Sequence, residues 1–316
     1  MIVLGVDIGG TSIKGAAIRD NGEVLDRFSL PMEKYATGEE SIGKMCDIIN
    51  GFLKEHKYDE PISGIGMGVP GILDKKNGVV KSSPNMPKWL DFHIKDLVES
   101  KTGLPAKVLN DASAAALGEA IYGSGKDYEN LIMITLGTGV GGGIVLNKKL
   151  YDGLEGTGAQ LGHNLIELGG RQCGCGRKGC LEAYASATAL IKETIKAMEA
   201  HPESKMHQIA EKLGKVDAQV AFEADRQGDL EGHRLVQEYV MYLAEGLMDY
   251  CNIFRPDVFV LSGGVANEGD YLITRLVSYM TERHFGLLGS PRIPIKKASL
   301  GYDSGKIGAA ALFFAK

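Results

Sequence analysis

No stretch of the sequence approaches the run of about 20 apolar residues needed to cross a bilayer. The opening MIVLGVDIGG has no basic segment followed by an apolar run and a small-residue cleavage site. These absences remove a spanning helix and a secretory leader from the expectation, leaving the cytoplasm as the expected compartment and no membrane as a partner. Positive charge is not in excess either: 35 Lys and Arg against 40 Asp and Glu give a net charge of −5. Such a balance offers no electrostatic footprint for nucleic acid. A P-loop is missing too, because Gly123-Ser124-Gly125-Lys126 runs into Asp127 rather than Ser or Thr. No low-complexity linker and no short-period tandem repeat interrupts the chain.

Cysteine is scarce, with five in 316 residues, and unevenly placed. Cys46 and Cys251 stand alone and read as packed thiols, while Cys173, Cys175 and Cys180 crowd into one short segment. An odd, clustered set in a cytosolic chain points to metal rather than disulfides. His163 upstream completes a Cys3His set, a closed tetrahedral arrangement suited to structural zinc that leaves no open position for a catalytic water. A nucleic-acid-binding zinc ribbon would bring a second paired-cysteine knuckle and a basic surround; only Arg171, Arg177 and Lys178 are near.

What the sequence has in quantity is glycine, 43 residues, on an otherwise ordinary globular composition of 44% hydrophobic and 24% charged residues. The length suits two medium lobes better than one core. Residues 2–6 read as a strand, Asp7-Ile8-Gly9-Gly10-Thr11 as a tight turn, Lys14 to Ile18 as a second strand and Val24 onward as a third. Ile42, Met45, Ile49, Phe52 and Leu53 recur at helical spacing, so 41–55 is expected to be a helix with Cys46 on its buried stripe. Ile65 to Val69 is a buried strand ended by Pro70-Gly71. Val108-Leu109 closes another at Asn110-Asp111, with either of these two capping a helix over 112–120. Leu131 to Leu136 is a strand leading into Gly137–Gly143, and Ile144 to Leu146 continues extended. Helical periodicity fills 184–254, Val258 to Leu261 is a strand ending in Ser262-Gly263-Gly264, and 304–315 reads as a closing helix. Strand, glycine turn and strand at 2–18 are echoed at 131–146.

Glycine turns after strands can present bare backbone N–H groups to phosphate. Three qualify: Asp7 to Thr11, Gly137 to Gly143, and Ser262 to Val265. Asp7 is placed to orient Mg²⁺ through water, with Thr11 approaching phosphate and Lys14 just past the turn. Gly137, Gly139 and Gly142 also match the dinucleotide fingerprint GxGxxG, but that site requires a helix after the glycines, and Ile144-Val145-Leu146 reads as strand. A nicotinamide-dependent oxidoreductase is therefore the weaker reading. Phosphoryl transfer to a hydroxyl needs a carboxylate base, and Asp111 at the end of a buried strand is the candidate.

The turn DIGGT, the segment Leu109-Asn110-Asp111-Ala112, the run Leu136-Gly137-Thr138-Gly139-Val140-Gly141-Gly142-Gly143, and the cysteine segment from Gly162-His163 to Cys180-Leu181-Glu182-Ala183-Tyr184-Ala185-Ser186 together resemble the ROK family of repressors, open reading frames and kinases. The resemblance runs from Asp7 to Gly308-Ala309-Ala310. It implies the two-lobed α/β fold of actin and hexokinase, with a cleft between lobes: a small N-terminal lobe of residues 1–116 plus 303–316, and a large lobe of 117–302 carrying the zinc loop. It implies Asp111 as base and Asn110, Gly71, His163 and Glu182 as sugar contacts. Asp7, Gly9, Gly10, Thr11 and Lys14 would form the first phosphate loop, Gly137, Thr138 and Gly139 the second, and Gly263-Gly264 would border adenosine. His163, Cys173, Cys175 and Cys180 would hold zinc, aiming His163 and Glu182 at the sugar.

One departure bears on the substrate. Family kinases carry a glutamate three residues before the zinc histidine, where this chain has Gln160, which keeps an acceptor but loses the charge. The expectation is an ATP- and Mg²⁺-dependent kinase for a hexose, glucose first, with allose, mannose, fructose and N-acetylated hexosamines open, and a homodimer or tetramer by family analogy. A sugar-responsive repressor would place a helix-turn-helix domain before DIGGT, which here begins at residue 7. A non-catalytic sugar-binding regulator remains the other alternative, with Gln160 as its mark.

Overall fold

The structure, a computed structural model, describes residues 1–33, 36–56, 58–83, 86–283 and 292–314. The chain runs β1 (Ile2–Ile8), β2 (Ser12–Arg19), β3 (Val24–Pro31), α1 (Gly38–Glu55), β4 (Ile62–Val69), β5 (Ile72–Asp74), β6 (Val79–Ser82), α2 (Ile94–Thr102), β7 (Ala106–Asn110) and α3 (Asp111–Ile121). It continues with β8 (Leu131–Leu136), β9 (Val140–Leu146), β10 (Lys149–Tyr151), α4 (Glu182–Ala185), α5 (Ala187–Ala200), α6 (Met206–Leu213), α7 (Ala218–Arg226), α8 (Leu230–Phe254), β11 (Val258–Ser262), α9 (Asp270–Arg283), β12 (Ile295–Lys297) and α10 (Ser304–Phe314). Ala315, included in the expected closing helix, lies outside the described residues.

Two five-stranded sheets repeat one plan: the first is ordered β3-β2-β1-β4-β7 and the second β10-β9-β8-β11-β12, with β5-β6 as a separate antiparallel pair. In the first sheet β1, β2 and β3 are antiparallel neighbours, and β4 and β7 then add in parallel. The echo between residues 2–18 and 131–146 is thus an echo of topology. Contacts divide the chain into two compact units, one comprising Met1–Leu131, Gly143–Ala159 and Ala298–Lys316, the other Ile132–Gly142 and Gln160–Lys297.

Local chemistry sets the element ends. α1 begins at Gly38, ahead of the apolar stripe, because Thr37 and Glu40 form a reciprocal capping box: the Thr37 hydroxyl accepts from Glu40 N at 3.2 Å and the Glu40 carboxylate from Thr37 N at 2.8 Å. The helical stretch expected over 184–254 is five helices. Ser186 caps α5, Gly214 ends α6 in the left-handed conformation, Asp217 caps α7 and Asp229 caps α8. Periodicity alone does not register these breaks, since the apolar spacing resumes after each. Along α8, Leu235, Tyr239, Leu243 and Leu247 form the buried row. Cys46 and Cys251 are buried as expected, and burial pushes each thiol up to about 11. Among the described residues no helix is long and apolar enough to cross a membrane.

In the first unit a fully buried carboxylate ties α3 to the chain that returns before α10. Glu119 accepts from the backbone N–H groups of Ser124 at 2.9 Å, Ser299 at 3.1 Å and Leu300 at 2.8 Å. Removing it strands those donors at about 1–3 kcal/mol each. Glu119→Ala is therefore expected to lower unfolding free energy by at least about 3 kcal/mol in urea titrations.

Candidate functional site

In the first unit the DIGGT turn joins β1 to β2. The Gly9 amide closes it by donating to Ser12 O at 2.9 Å, while Thr11 O accepts from Met32 N at 2.9 Å. Gly9 thus spends its own N–H on the turn, and the amides of Gly10 and Thr11 donate no hydrogen bond among the described residues. Thr11 is exposed and Asp7 half-buried. Asp7 stands opposite Lys14 in the β1–β2 ladder, so the two side chains leave the sheet on one face. Burial pushes the Asp7 carboxyl above its ordinary value, and the charges of Lys306 and Lys14 pull it back.

At the end of β7, Asn110 is the residue that caps α3. Its Oδ1 accepts from Ala112 N at 3.0 Å and Ser113 N at 3.3 Å, and its Nδ2 donates to Gly71 O at 3.4 Å. Asp111, the first residue of the helix, adds one bond, from Ala112 N to Oδ1 at 2.9 Å. Burial raises the Asp111 carboxyl, the nearby Asp7 charge raises it further, and the Ala112 bond works against both.

In the second unit, His163, Cys173, Cys175 and Cys180 bring one donor atom each to within 4.8 Å of one another. Cys173 Sγ lies 3.7 Å from His163 Nδ1, and Cys175 Sγ lies 3.6 Å from Cys180 Sγ. Donors on a tetrahedral ion with bonds of about 2.3 Å are roughly 3.8 Å apart, so the set fits a closed metal site. The knuckle is shaped by its own backbone: Cys173 N donates to Arg177 O at 2.9 Å and Gly176 N to Cys173 O at 3.1 Å. With Nδ1 facing the sulfurs, the other ring nitrogen of His163 points away from the set.

Glu182, two residues past Cys180, connects this knuckle to the second glycine turn. Its Oε2 accepts from Val140 N at 3.0 Å, and its Oε1 takes the Cys173 Sγ contact at 3.5 Å. The carboxylate lies so close to the turn that a Cβ at Gly139 would come within 2.3 Å of Oε2 and push the Glu182 carboxylate from its place. The sequence reading missed this link, because a contact between residues 42 apart leaves no periodic signal. The Gly137 amide closes the turn on Gly139 O at 3.0 Å, and the amides of Thr138 and Gly139 carry no hydrogen bond among the described residues. The glycine run leads into β9, a strand, so GxGxxG here is not followed by the helix on which a dinucleotide site depends. Gly263, at φ 89°, lies against the end of β8, where a Cβ would meet Leu136 O at 2.4 Å; Gly264 precedes a short 3₁₀ turn. Gln160 is exposed, and its carbonyl accepts from His163 N at 3.0 Å.

Glycine turns after strands, a carboxylate at a strand end and a Cys3His knuckle on this duplicated sheet plan define a kinase-type α/β protein. The chain matches the ROK family over residues 3–316 and belongs to that family, with its actin/hexokinase-like fold. It is 36% identical over 315 residues to a glucokinase of Halalkalibacterium halodurans, which covers 98% of this chain and 94% of that protein. A ROK hexokinase from Thermus thermophilus superposes with a TM-score of 0.82 at 34% identity, covering 98% of this chain and 97% of the other. A ROK family glucokinase from Streptomyces griseus in complex with glucose and AMPPNP gives a TM-score of 0.82 at 33% identity over 99% of each chain.

The knuckle geometry makes a direct prediction. Native mass spectrometry is expected to find about one tightly held metal ion per chain, and Cys180→Ser, which removes a buried donor, is expected to lose it.

Proposed function

We propose that the chain transfers the γ-phosphoryl group of ATP to a hexose, glucose first, at the 6-hydroxyl. The observation that carries this reading is the division of labour at the end of β7: Asn110 takes the helix cap, and Asp111 keeps a half-buried carboxylate with a raised pKa. Such a group suits a general base for a sugar hydroxyl. In the step, the hydroxyl oxygen bonds to the γ-phosphorus, the bond from phosphorus to the β–γ bridging oxygen breaks, Asp111 takes the hydroxyl proton, and ADP leaves. Glucokinase relatives and the glucose-bound S. griseus structure support the choice of sugar and donor.

The remaining residues take positioning roles. Gly10 and Thr11 of the first turn, and Thr138 and Gly139 of the second, offer amides to phosphate oxygens. Gly9 and Gly137 hold those turns closed, Lys14 faces the phosphates beside Asp7, and Gly263-Gly264 border the adenosine. Mg²⁺, oriented by Asp7 through water, would neutralise charge developing on the phosphates. Asn110, Gly71, Gln160, His163 and Glu182 take sugar hydroxyls, with the Cys3His set holding zinc to fix the loop carrying His163 and Glu182. The small lobe is residues 1–116 with 303–316, the large lobe 117–302. The working compartment is the cytoplasm, and the assembly a dimer or tetramer by family analogy.

Gln160 bears on affinity. A hydroxyl bound to a carboxylate gains roughly 1.5–3 kcal/mol and one bound to a neutral acceptor roughly 0.5–1.5. Gln160→Glu is thus expected to lower the KM for the preferred sugar by about fivefold.

A coupled ADP-release assay over glucose, allose, mannose, fructose and N-acetylhexosamines tests the whole reading. Turnover with at least one sugar is expected, and none from folded, metal-replete protein refutes it. Asp111→Asn should cut kcat by about 10²–10⁴-fold with the fold unchanged. A base must be deprotonated to act, so kcat/KM should rise with pH through the Asp111 pKa and then level off. Because that pKa is raised, the acidic limb should lie above the ordinary aspartate range and vanish in Asp111→Asn.

A further inference from the structure

α10 carries one charged side chain that no motif marks. It reads Ser304-Gly305-Lys306-Ile307-Gly308-Ala309-Ala310-Ala311-Leu312-Phe313-Phe314, and Lys306 in its first turn is 4% exposed. A buried ammonium persists only beside a compensating charge. Asp303, three residues earlier, supplies it at 2.7 Å, and Arg27 holds the other oxygen of Asp303, also at 2.7 Å.

Strand alternation decides what else stands there. Along β1, Ile2, Leu4, Val6 and Ile8 join the core formed with α1 and α2, whereas Val3 joins Ala16, Ile18, Ile307 and Ala310. Gly5 and Asp7 share the side of Val3. α10 lies directly on that row: a Cβ at Gly5 would come within 2.0 Å of Lys306 O, and one at Gly305 within 3.3 Å of Asp7 Cγ. The Asp7 carboxyl therefore has Gly305 and Lys306 on its helix side and Lys14 opposite it on β2, and its charge is felt by Asp111 on α3. Lys14 Nζ in turn lies 5.6 Å from the centre of the Tyr302 ring, one residue before Asp303. The two lysines differ in kind. Lys14 is exposed and screened by solvent, while Lys306 is buried and fixed.

We propose that Lys306 is a positioning residue for phosphoryl transfer: clamped by Asp303 on the helix turn that packs against Asp7, its buried ammonium provides a fixed positive charge behind the Asp7 carboxylate and keeps that group ionised at the first phosphate turn, so that Mg²⁺ and the triphosphate meet a preset site. The inference rests on the kinase reading above. Lys306→Met keeps the length and removes the charge, whereas Lys306→Arg keeps the charge.

Steady-state kinetics with MgATP and glucose, a titration of free Mg²⁺, and calorimetric binding of Mg·AMPPNP are compared for the parent and both variants. Lys306→Met is expected to lower kcat by about tenfold and to shift the half-saturating free Mg²⁺ by about threefold, with the glucose KM within about twofold of the parent. Lys306→Arg should recover most of kcat. Unchanged kcat and Mg²⁺ dependence in folded Lys306→Met overturns the inference. So does a collapse of every parameter, glucose KM included, that Lys306→Arg does not relieve, because that is the signature of a merely structural lysine. Failure of the kinase reading looks different: the parent itself turns over no sugar. Calorimetry then decides, since equal Mg·AMPPNP binding by parent and Lys306→Met overturns the positioning role, and selectively weaker binding by Lys306→Met upholds it.

Discussion

A carboxylate at the first turn of a helix is drawn to the unpaired N–H groups there, and one spent on that task is a poor base. In this chain Asn110 accepts from the amides of Ala112 and Ser113, so the helix start is satisfied largely without Asp111. Its amide also reaches Gly71 O, linking the ends of β7 and β4 in the same unit. The proposed chemistry depends on this substitution of one acceptor for another. Burial then keeps the Asp111 carboxyl above its ordinary range, which brings a weakly basic group closer to the basicity a proton acceptor needs at neutral pH.

The second unit meets a related problem with backbone hydrogen bonds and a cluster of four donor side chains that could hold a metal ion. Residues 163–180 carry almost no regular structure that would hold a loop still. The knuckle of Cys173 to Arg177, the approach of four donors and the Glu182 bridge to Val140 N supply that rigidity instead. Each glycine turn likewise closes on itself through one amide, Gly9 to Ser12 O and Gly137 to Gly139 O, and leaves the following amides available. Such internal closure fixes the direction of the remaining N–H groups before any ligand arrives, so little reorganisation is left to oppose binding.

Much of this was legible in the residues. The apolar run of the first strand, the apolar stripe of α1, the turn residues and the Cys3His spacing each encode a local rule, and the corresponding elements form. The strand expected after the second glycine run also forms, because Ile144 and Val145 have the β-branched character of a strand and lie in β9. Where the reading was coarse, the physics was non-periodic. The breaks between α5, α6, α7 and α8 are set by single caps at Ser186, Gly214, Asp217 and Asp229, which apolar spacing steps over. The small β5–β6 pair, three and four residues long, is too short to carry a periodic signal.

The sequence by itself determined the strand–turn–strand openings, the Cys3His set and the family, because each depends on residue types at short fixed spacing. Tertiary structure alone decided which of Asn110 and Asp111 caps α3, that Glu182 bridges the knuckle and the second turn, and that a lysine near the end of the chain stands beside an aspartate near its start. Those outcomes depend on which side chains are brought within a few ångströms after the sheets form. Spacing along the chain carries no record of distances that only packing creates.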